Sequence, residues 1–376
     1  MGAKLNGQVD GQSMSPRPPS PDRVVLSEGD ALGAHRSTLP PGALPQQAWR
    51  LDNDFTRLFQ GETLIAVETL NVDAASFAQM EEAAVEAGAT GEGVDREVAH
   101  IVLRTVGDRG KQHNPVTGSG GMLLGRVLQE GTGRRDSLRR GDRVATLVSL
   151  SLTPLRIDNV RAVRRTSAQI DVDGEAVVFA SGACATLPPD IPERVALAAL
   201  DVAGAAPQVA RLVTEGDVVV ILGAGGKSGV LCAAESRRRG GPRARVVGVE
   251  ANEKAAADLR ALGLCDGVVA GDARDAMAVR RAVLEATAGR EADVTFSCVN
   301  VPDAEMAAVL STRDRGVVYF FAMSTSFTRA ALGAEGVGKD VDLFIGNGYA
   351  NGHAEHTLAM LRDMPPLRAL FDRRYG

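Results

Sequence analysis

Residues 216–250 read GDVVVILGAGGKSGVLCAAESRRRGGPRARVVGVE, and this stretch decides the fold. An apolar run at 218–222 predicts a buried strand, and a glycine-rich turn follows it. A helical stretch over about 228–239 then leads to a second apolar run. That run ends on Glu250, 21 residues after Gly229. Strand, glycine turn, helix and strand, with an acid at the end, is the order of a dinucleotide-binding βαβ unit.

The glycine-rich turn supplies the candidate cofactor contacts. Gly223 allows a tight turn, Gly225 lets the backbone approach a diphosphate, and the following helix offers free N–H groups and a partial positive charge. The spacing is GxGxxxG, one residue longer than the common pattern, so a glycine-rich turn without a ligand remains the alternative. Lys227 contacts phosphate or is simply exposed. The predicted cofactor-binding residues are Gly223, Gly225, Gly226, Lys227, Ser228, Gly229 and Glu250.

Glu250 also favours one cofactor over the other. A carboxylate at this position accepts hydrogen bonds from a ribose and repels a 2′-phosphate. No Arg or Lys follows it until Lys254. The sequence therefore predicts NAD rather than NADP.

Bulk properties restrict the class of protein. A chain of 376 residues, 44% hydrophobic and 24% charged, predicts two globular domains. A net charge of −5 gives no reason to expect nucleic acid or an anionic membrane as a partner. No apolar run reaches the roughly 18–20 residues of a membrane helix, and the first 30 residues lack the apolar core of a signal peptide. We therefore expect a cytoplasmic protein.

The cysteines indicate neither a zinc cluster nor a disulfide framework, because they are scattered and form no CxxC pair. Reduced thiols are the expectation for all four of them: Cys184, Cys232, Cys265 and Cys298.

The pattern changes along the chain. Residues 1–30 are rich in Gly, Ser and Pro and are predicted to be a disordered tail. Short strands, among them 98–106, together with a helix over 74–88, predict a β-rich barrel-like domain formed by 31–190 and 346–376. Strands and helices alternate over 191–345, which predicts a doubly wound parallel sheet of the Rossmann type.

This layout resembles the medium-chain dehydrogenase/reductase superfamily, with its GroES-like catalytic domain. GDRV at 141–144 and LPPDIPERVALAAL at 187–200 support the likeness. Zinc-dependent members carry a Gly-His-Glu triplet where this chain has Gly118-Ser119-Gly120, and no other set of three ligands is evident. The prediction is therefore an enzyme without a metal. The resemblance also implies a homodimer.

Four longer motifs are more specific. RGKQHNPVTGSGGMLLGRV, SLSLTPLRI, LPQQAWRLDND and IGNGYANGHAE together resemble the L-erythro-3,5-diaminohexanoate dehydrogenase family. The likeness extends from about His35 to Tyr375. It implies NAD-dependent oxidation of the 3-amino group of a small diamino acid, with release of ammonium and 5-amino-3-oxohexanoate.

Such a reaction needs a base, because the amine must be neutral before hydride leaves the substrate carbon. His113 lies in a polar loop before a glycine turn and is the first candidate. Thr153 follows a predicted strand and would approach the nicotinamide in the superfamily layout. His353 and Glu355 follow the last predicted strand, where ligand clefts of such sheets lie. A solvated loop histidine, a turn residue or a helix cap is the alternative for these catalytic candidates.

The second ammonium and the carboxylate of the substrate also need partners. Glu68 and Asp73 flank a strand end and would pair with an ammonium, or are surface charges. The other candidates would line the same pocket or form turns. The predicted substrate-binding residues are Glu68, Asp73, Asn114, Thr117, Ser119, Asn347 and Tyr349.

Two other functions remain open from the sequence. A quinone or enoyl reductase of the same superfamily would also lack zinc, but it usually uses NADPH and would want a cationic residue near Glu250. A nucleotide-sensing protein that kept the fold and lost the chemistry would bind NAD without turnover.

Overall fold

The computed structural model describes residues 23–26, 29–114, 118, 120–134, 137–322, 324–346 and 348–376. The chain divides into two compact units, Met1–Thr186 and Leu187–Gly376. Most of the predicted tail lies outside the described residues. The expected boundary at residue 30 comes too late, because Arg23 pairs with Glu175 at 2.9 Å and Val24–Leu26 forms a strand.

Unit 1 contains ten strands and two α-helices among its described residues. The strands are β1 (Val24–Leu26), β2 (Ser37–Leu39), β3 (Arg50–Leu51), β4 (Arg57–Phe59), β5 (Thr63–Asn71), β6 (Met122–Gln129), β7 (Arg143–Thr146), β8 (Leu155–Arg164), β9 (Gln169–Val178) and β10 (Cys184–Thr186), and the helices are α1 (Ala74–Glu86) and α2 (Glu92–Arg109).

An antiparallel six-stranded sheet in the order β10-β7-β6-β5-β9-β8 forms the centre of unit 1. In the part of unit 1 that the structure describes, β10 and β8 remain as its edges, so the sheet does not close into the expected barrel. The two smaller pairs are β1-β4 and β2-β3.

The strand predicted over 98–106 is wrong, because these residues belong to α2. Val94, Val98, Val102 and Val106 are buried and recur every four residues, which is the spacing of one helix face. Helix α2 packs on β8 through this face. Valine favours strands, but the gain from burying one stripe of a helix outweighs that weak preference.

Unit 2 alternates strands and helices after an all-helical beginning. Its elements are α3 (Glu193–Leu200), α4 (Ala205–Leu212), β11 (Val218–Leu222), α5 (Lys227–Gly240), β12 (Arg245–Glu250), α6 (Glu253–Leu262), β13 (Gly267–Ala270), α7 (Ala276–Ala286), β14 (Ala292–Ser297), α8 (Glu305–Ser311), β15 (Thr312–Phe320), α9 (Phe327–Gly336), β16 (Asp342–Ile345), α10 (His353–Asp363) and α11 (Pro365–Tyr375).

The six strands of unit 2 form one parallel sheet in the order β13-β12-β11-β14-β15-β16. Every residue of β11 is buried, as expected for a central strand covered on both faces. The order reverses between β11 and β14, and ligands of such sheets bind beyond the carboxyl ends of the strands at this point. The predicted fold class is thereby confirmed.

The C-terminal segment differs from the expected domain division. Sequence analysis assigned 346–376 to the β-rich domain, whereas its helices α10 and α11 belong to unit 2. They pack on α3, α4 and α6, and Leu358, Leu367 and Phe371 bury apolar surface there.

Among the described residues, no single helix has both the length and the apolar composition needed to cross a membrane, and only α3 and α4 taken together, bent by 45°, pass that test.

Candidate functional site

The glycine-rich loop joins β11 to α5 and is fixed by backbone hydrogen bonds. The N–H groups of Gly223 and Ala224 donate to the Val249 carbonyl at 2.9 and 3.1 Å. Gly223 has φ +72°, a left-handed conformation that glycine adopts without strain. Helix α5 begins at Lys227, so the first N–H groups of this helix lack intrahelical partners. Groups of this kind could hold an anion at this end of the loop.

Two glycines of this loop are required by close packing. A Cβ at Gly229 would lie 2.2 Å from the Gly223 carbonyl oxygen and 2.7 Å from the Ala224 backbone. A Cβ at Gly225 would lie 2.7 Å from the Cβ of Ala255 on α6. Gly226 differs, because its Cβ would meet only the Gly223 oxygen, at 3.4 Å.

Glu250 ends β12 and holds the loop directly. Its Oε2 accepts a hydrogen bond from the Gly225 N–H, and its Oε1 accepts one from the Asn252 N–H, both at 2.9 Å. An ionised carboxylate has about four acceptor positions, so about two remain for the hydroxyls of a ribose. The donor and acceptor set at β11, α5 and β12 therefore fits a dinucleotide.

Arg374 and Asp201 are two charged residues that the sequence did not predict and that contact this loop or the first residue of α5. Arg374, near the end of α11, donates to the Gly225 carbonyl at 2.7 Å and pairs with Asp258 on α6 at 2.7 Å. Lys227 pairs with Asp201, which caps the C-terminal end of α3. Lys227 thus has a protein partner, and neither long-range contact leaves a local motif in the sequence.

The loop Lys111–Asn114 follows α2 in unit 1 and combines burial with polar groups. Lys111 is fully buried, and its Nζ donates to the Pro45 carbonyl at 2.6 Å. Burial, aided by the charge of Arg109, lowers the pKa of Lys111 to about 8. Gln112 is 3% exposed. Within the described residues, Gln112 Oε1 and His113 Nδ1 are buried without a hydrogen-bond partner.

The surroundings of His113 lower the pKa of its imidazole. Burial is the largest cause that lowers its pKa, and the positive charges of Lys111 and Arg109 lower it further. A neutral imidazole near pH 7 can accept a proton. The loop therefore offers a proton acceptor beside an unpartnered amide oxygen, and buried atoms of this kind point to a ligand or to water.

Asp73 and Asn114 belong to one hydrogen-bond network. Asp73 caps α1, where its Oδ1 accepts from the Ser76 N–H at 2.9 Å and its Oδ2 from the Ser76 hydroxyl at 2.6 Å. Asn114 donates to the Ser76 hydroxyl at 2.8 Å and to Gln79 Oε1 at 2.9 Å. The network fixes the His113 loop to the start of α1.

Thr153 lies beside the same loop, whereas Glu68 does not take part in its network. Thr153 is buried and donates to the Ser149 carbonyl at 3.1 Å. A Cβ at Gly120 would lie 2.6 Å from the Gln112 carbonyl oxygen and 3.0 Å from the Ser151 backbone nitrogen. Gly120 therefore packs closely on both the loop Lys111–Asn114 and the segment that leads to Thr153. Glu68, on β5, pairs with Arg143 at 2.7 Å.

The candidates near α10 form a separate group in unit 2. The ring of Tyr349 packs edge-on against His353 with 5.1 Å between centroids, and its hydroxyl donates to Asn351 at 2.9 Å. His353 is 5% exposed, and burial lowers its pKa. Glu355 lies exposed in the first turn of α10.

Three predicted substrate-binding residues lie outside the described residues: Thr117, Ser119 and Asn347. In the part of the chain that is described, no group of three or more His, Cys, Asp or Glu residues is arranged to hold a metal ion.

Comparison with known proteins adds the family. The model of the L-erythro-3,5-diaminohexanoate dehydrogenase N-terminal domain matches residues 35–188. The L-erythro-3,5-diaminohexanoate dehydrogenase of Acetoanaerobium sticklandii is 49% identical over 351 residues, which cover 93% of this chain and 99% of that protein. The enzyme of the same name from Fusobacterium nucleatum is 48% identical over 353 residues, covering 93% and 100%.

Solved structures give more distant matches. A mycobacterial quinone oxidoreductase is 17% identical with a TM-score of 0.49, covering 84% of this chain and 82% of that one. An enoyl reductase is 15% identical with a TM-score of 0.49, covering 81% and 79%.

A doubly wound sheet with a diphosphate-type glycine loop and a second, β-rich unit defines a dehydrogenase of the NAD(P)-binding oxidoreductase fold. The chain belongs to the L-erythro-3,5-diaminohexanoate dehydrogenase family. The resemblance drawn from the four motifs is confirmed.

Proposed function

We propose that this protein is an L-erythro-3,5-diaminohexanoate dehydrogenase that oxidises the 3-amino group of its substrate with NAD and releases ammonium and 5-amino-3-oxohexanoate. One observation carries the proposal: 49% identity to a relative of that name, over 93% of this chain and 99% of the relative.

Glu250 supports NAD as the cofactor. Its carboxylate stands at the end of β12 with about two acceptor positions left for ribose hydroxyls. The same negative charge would repel a 2′-phosphate. Arg374 lies near the loop, but Asp258 balances its charge, so it offers little attraction to a phosphate.

The loop Lys111–Asn114 of unit 1 is our candidate for the residues that handle the amino group of the substrate. His113 stays neutral near pH 7 and would take the proton from the substrate ammonium. Gln112 Oε1, buried and unpartnered in the described structure, would accept a hydrogen bond from an ammonium group. Thr153 and Asn114 would position this loop through their backbone and side-chain bonds. His353, Tyr349 and Glu355 remain proposed contacts at the start of α10.

Homodimerisation through the sheet of unit 2 is part of the proposal. Strand β16 is an edge of that sheet and exposes Phe344 and Ile345 at 45% and 58%. Helix α9 exposes Phe327 and Leu332, and its C-cap residue Val337 is exposed as well. An edge strand with an apolar surface favours pairing with a second copy. Because NAD-linked enzymes work where that cofactor is present, we propose a cytoplasmic location.

One assay tests the function. Purified protein is mixed with NAD and racemic 3,5-diaminohexanoate, and absorbance of reduced nicotinamide is followed together with release of ammonium. We expect reduction of NAD that depends on the diamine, with one ammonium released for each NAD reduced. Lysine serves as the control substrate, because it carries two amino groups but none at the 3-position.

The other outcomes identify the competing functions. Consumption of NADPH with a quinone, and no reaction with the diamine, would make the protein a quinone reductase. Binding of NAD without turnover of either substrate would indicate a nucleotide-binding protein that lacks the chemistry.

A further inference from the structure

Two cysteines that are 66 residues apart in the sequence meet beside the glycine-rich loop. The sulfurs of Cys232 on α5 and Cys298, directly after β14, lie 3.8 Å apart. The other two cysteines, Cys184 and Cys265, are not part of this pair. No local sequence motif predicts the approach, because the sheet order alone makes β11 and β14 neighbours.

The pair lies at the point where the strand order of the sheet reverses. The Cys298 N–H donates to the carbonyl of Leu222, the last residue of β11, at 2.9 Å. A Cβ at Gly223 would lie 3.2 Å from the Cys298 carbonyl carbon and oxygen. The first glycine of the loop therefore packs directly on the Cys298 backbone, and a movement of this backbone is transmitted to the loop.

The two thiols differ in access and in acidity. Cys298 is partly exposed, whereas Cys232 is 1% exposed. The hydrogen bond from the Cys232 thiol lowers the pKa of Cys298 and outweighs its partial loss of hydration, and the hydrogen bond from the Ser228 hydroxyl lowers the pKa further. The hydrogen bond that the Cys232 thiol donates to Cys298, together with burial, raises the pKa of Cys232. Cys298 is thus the thiol that reacts first, and Cys232 is placed to attack it afterwards.

We propose that Cys232 and Cys298 form a reversible disulfide under oxidation by small disulfides, and that this bond weakens cofactor binding by the adjacent loop. The inference rests on the proposed cofactor site but not on the proposed substrate. A disulfide bond is about 2.05 Å long, so the sulfurs must approach by about 1.8 Å. This approach pulls the first turns of α5 towards the end of β14, and both Gly223 and Ser228 contact Cys298 there.

The chemistry is a thiol–disulfide exchange with oxidised glutathione as the oxidant. The Cys298 thiolate attacks one sulfur, a mixed disulfide forms, and the first glutathione leaves as its thiolate. Cys232 then gives up its proton and attacks the Cys298 sulfur, and the second glutathione leaves. The two protein thiols lose two electrons and two protons in total, and oxidised glutathione gains them as two molecules of glutathione.

The experiment equilibrates the full-length protein in mixtures of reduced and oxidised glutathione. Peptide mapping by mass spectrometry detects the disulfide, and calorimetry measures NAD affinity of each preparation. We expect a disulfide between Cys232 and Cys298 at oxidising ratios and a loss of NAD affinity of at least about tenfold, reversed by dithiothreitol. Saturating NAD should slow the oxidation, because the cofactor would cover Cys298.

Single variants assign the effect. Cys298→Ser should keep its NAD affinity after oxidation. Cys232→Ser should form no internal disulfide and should stop at the mixed disulfide of Cys298 with glutathione. Cys265→Ser is the matched control and should respond like the wild type, because burial raises the pKa of Cys265 to about 12 and leaves that thiol unreactive.

Three results would overturn the inference: a pair that stays reduced at every ratio, a stable glutathione adduct on Cys298 without the second bond, or a mapped disulfide with unchanged NAD affinity. Failure of the reduced protein to bind NAD would instead refute the proposed function.

Discussion

Replacing Glu250 by Gln tests the proposed cofactor site by changing one side-chain oxygen into an NH₂ group. The carboxylate accepts from the Gly225 N–H and the Asn252 N–H, both at 2.9 Å. Gln has the same shape, but one oxygen becomes an NH₂ group that must face one of these two donors. The variant therefore loses its charge, one acceptor for the loop and part of the acceptor capacity left for a ribose.

The expected size of the effect follows from this count. A hydrogen bond to a charged group contributes about 1.5–3 kcal/mol, and every 1.4 kcal/mol changes an affinity about tenfold. Losing the bonds from the ribose should weaken NAD binding by about 10- to 100-fold. NADP should lose much less affinity, because the substitution also removes the repulsion of the 2′-phosphate. The preference for NAD should therefore shrink at least about tenfold.

Calorimetric titration of NAD and NADP into the wild type and Glu250→Gln measures both affinities. Glu253→Gln is the matched control, since this carboxylate lies three residues away, is exposed in the first turn of α6 and should leave both affinities unchanged. Thermal unfolding without nucleotide measures the stability of the variant separately from binding. The NH₂ group that Glu250→Gln places opposite a backbone N–H should lower the free energy of unfolding by about 1–3 kcal/mol. An unchanged ratio of the two affinities in Glu250→Gln would refute the role of Glu250.

Three further predictions concern the loop, the candidate base and the dimer. Gly229→Ala should lower the midpoint of thermal unfolding and weaken NAD binding more than tenfold, because its Cβ would lie 2.2 Å from a carbonyl oxygen, whereas Gly226→Ala should unfold like the wild type. The pKa of His113 is lowered in the folded protein, so below about pH 6.5 the unfolded chain binds more protons and the free energy of unfolding decreases as the pH is lowered. Denaturant titrations over this range should show a smaller decrease in His113→Asn than in the wild type. Equal decreases in the two proteins would contradict the shift. Phe344→Asp should give monomers in light scattering with size exclusion, while Met277→Asp on α7, equally apolar and exposed at 53%, should not; a dimer that survives Phe344→Asp argues against pairing through β16.

The sequence predicted unit 2 well, for a physical reason. Each strand of a doubly wound sheet is a short apolar run between helices, and both the run and the helix period are local signals. The strand predicted over 218–222 is therefore present as β11, and strands alternate with helices over 191–345 as predicted. In unit 1 the local signal misled at Val98–Val106, where a run rich in valine follows a four-residue repeat and forms a helix.

The contacts that complete the proposed cofactor site could not be predicted in this way. Arg374 on the last helix contacts Gly225, which lies 149 residues earlier in the chain. Cys298, directly after β14, contacts Cys232 on α5, which lies 66 residues earlier. Each of these contacts depends on the packing of elements far apart in the chain. A single sequence contains the residues but not their pairing.

The structure also changes the argument about which group accepts the ammonium of the substrate. Asp73 uses both oxygens on Ser76, and Glu68 pairs with Arg143 at 2.7 Å, so either carboxylate would have to give up a protein partner first. Gln112 Oε1 has no such partner in the described structure and lies in the residue next to His113. A neutral oxygen beside a neutral imidazole also suits the reaction better than a carboxylate would. A nearby negative charge would stabilise the ammonium and oppose the loss of the proton that must precede hydride transfer.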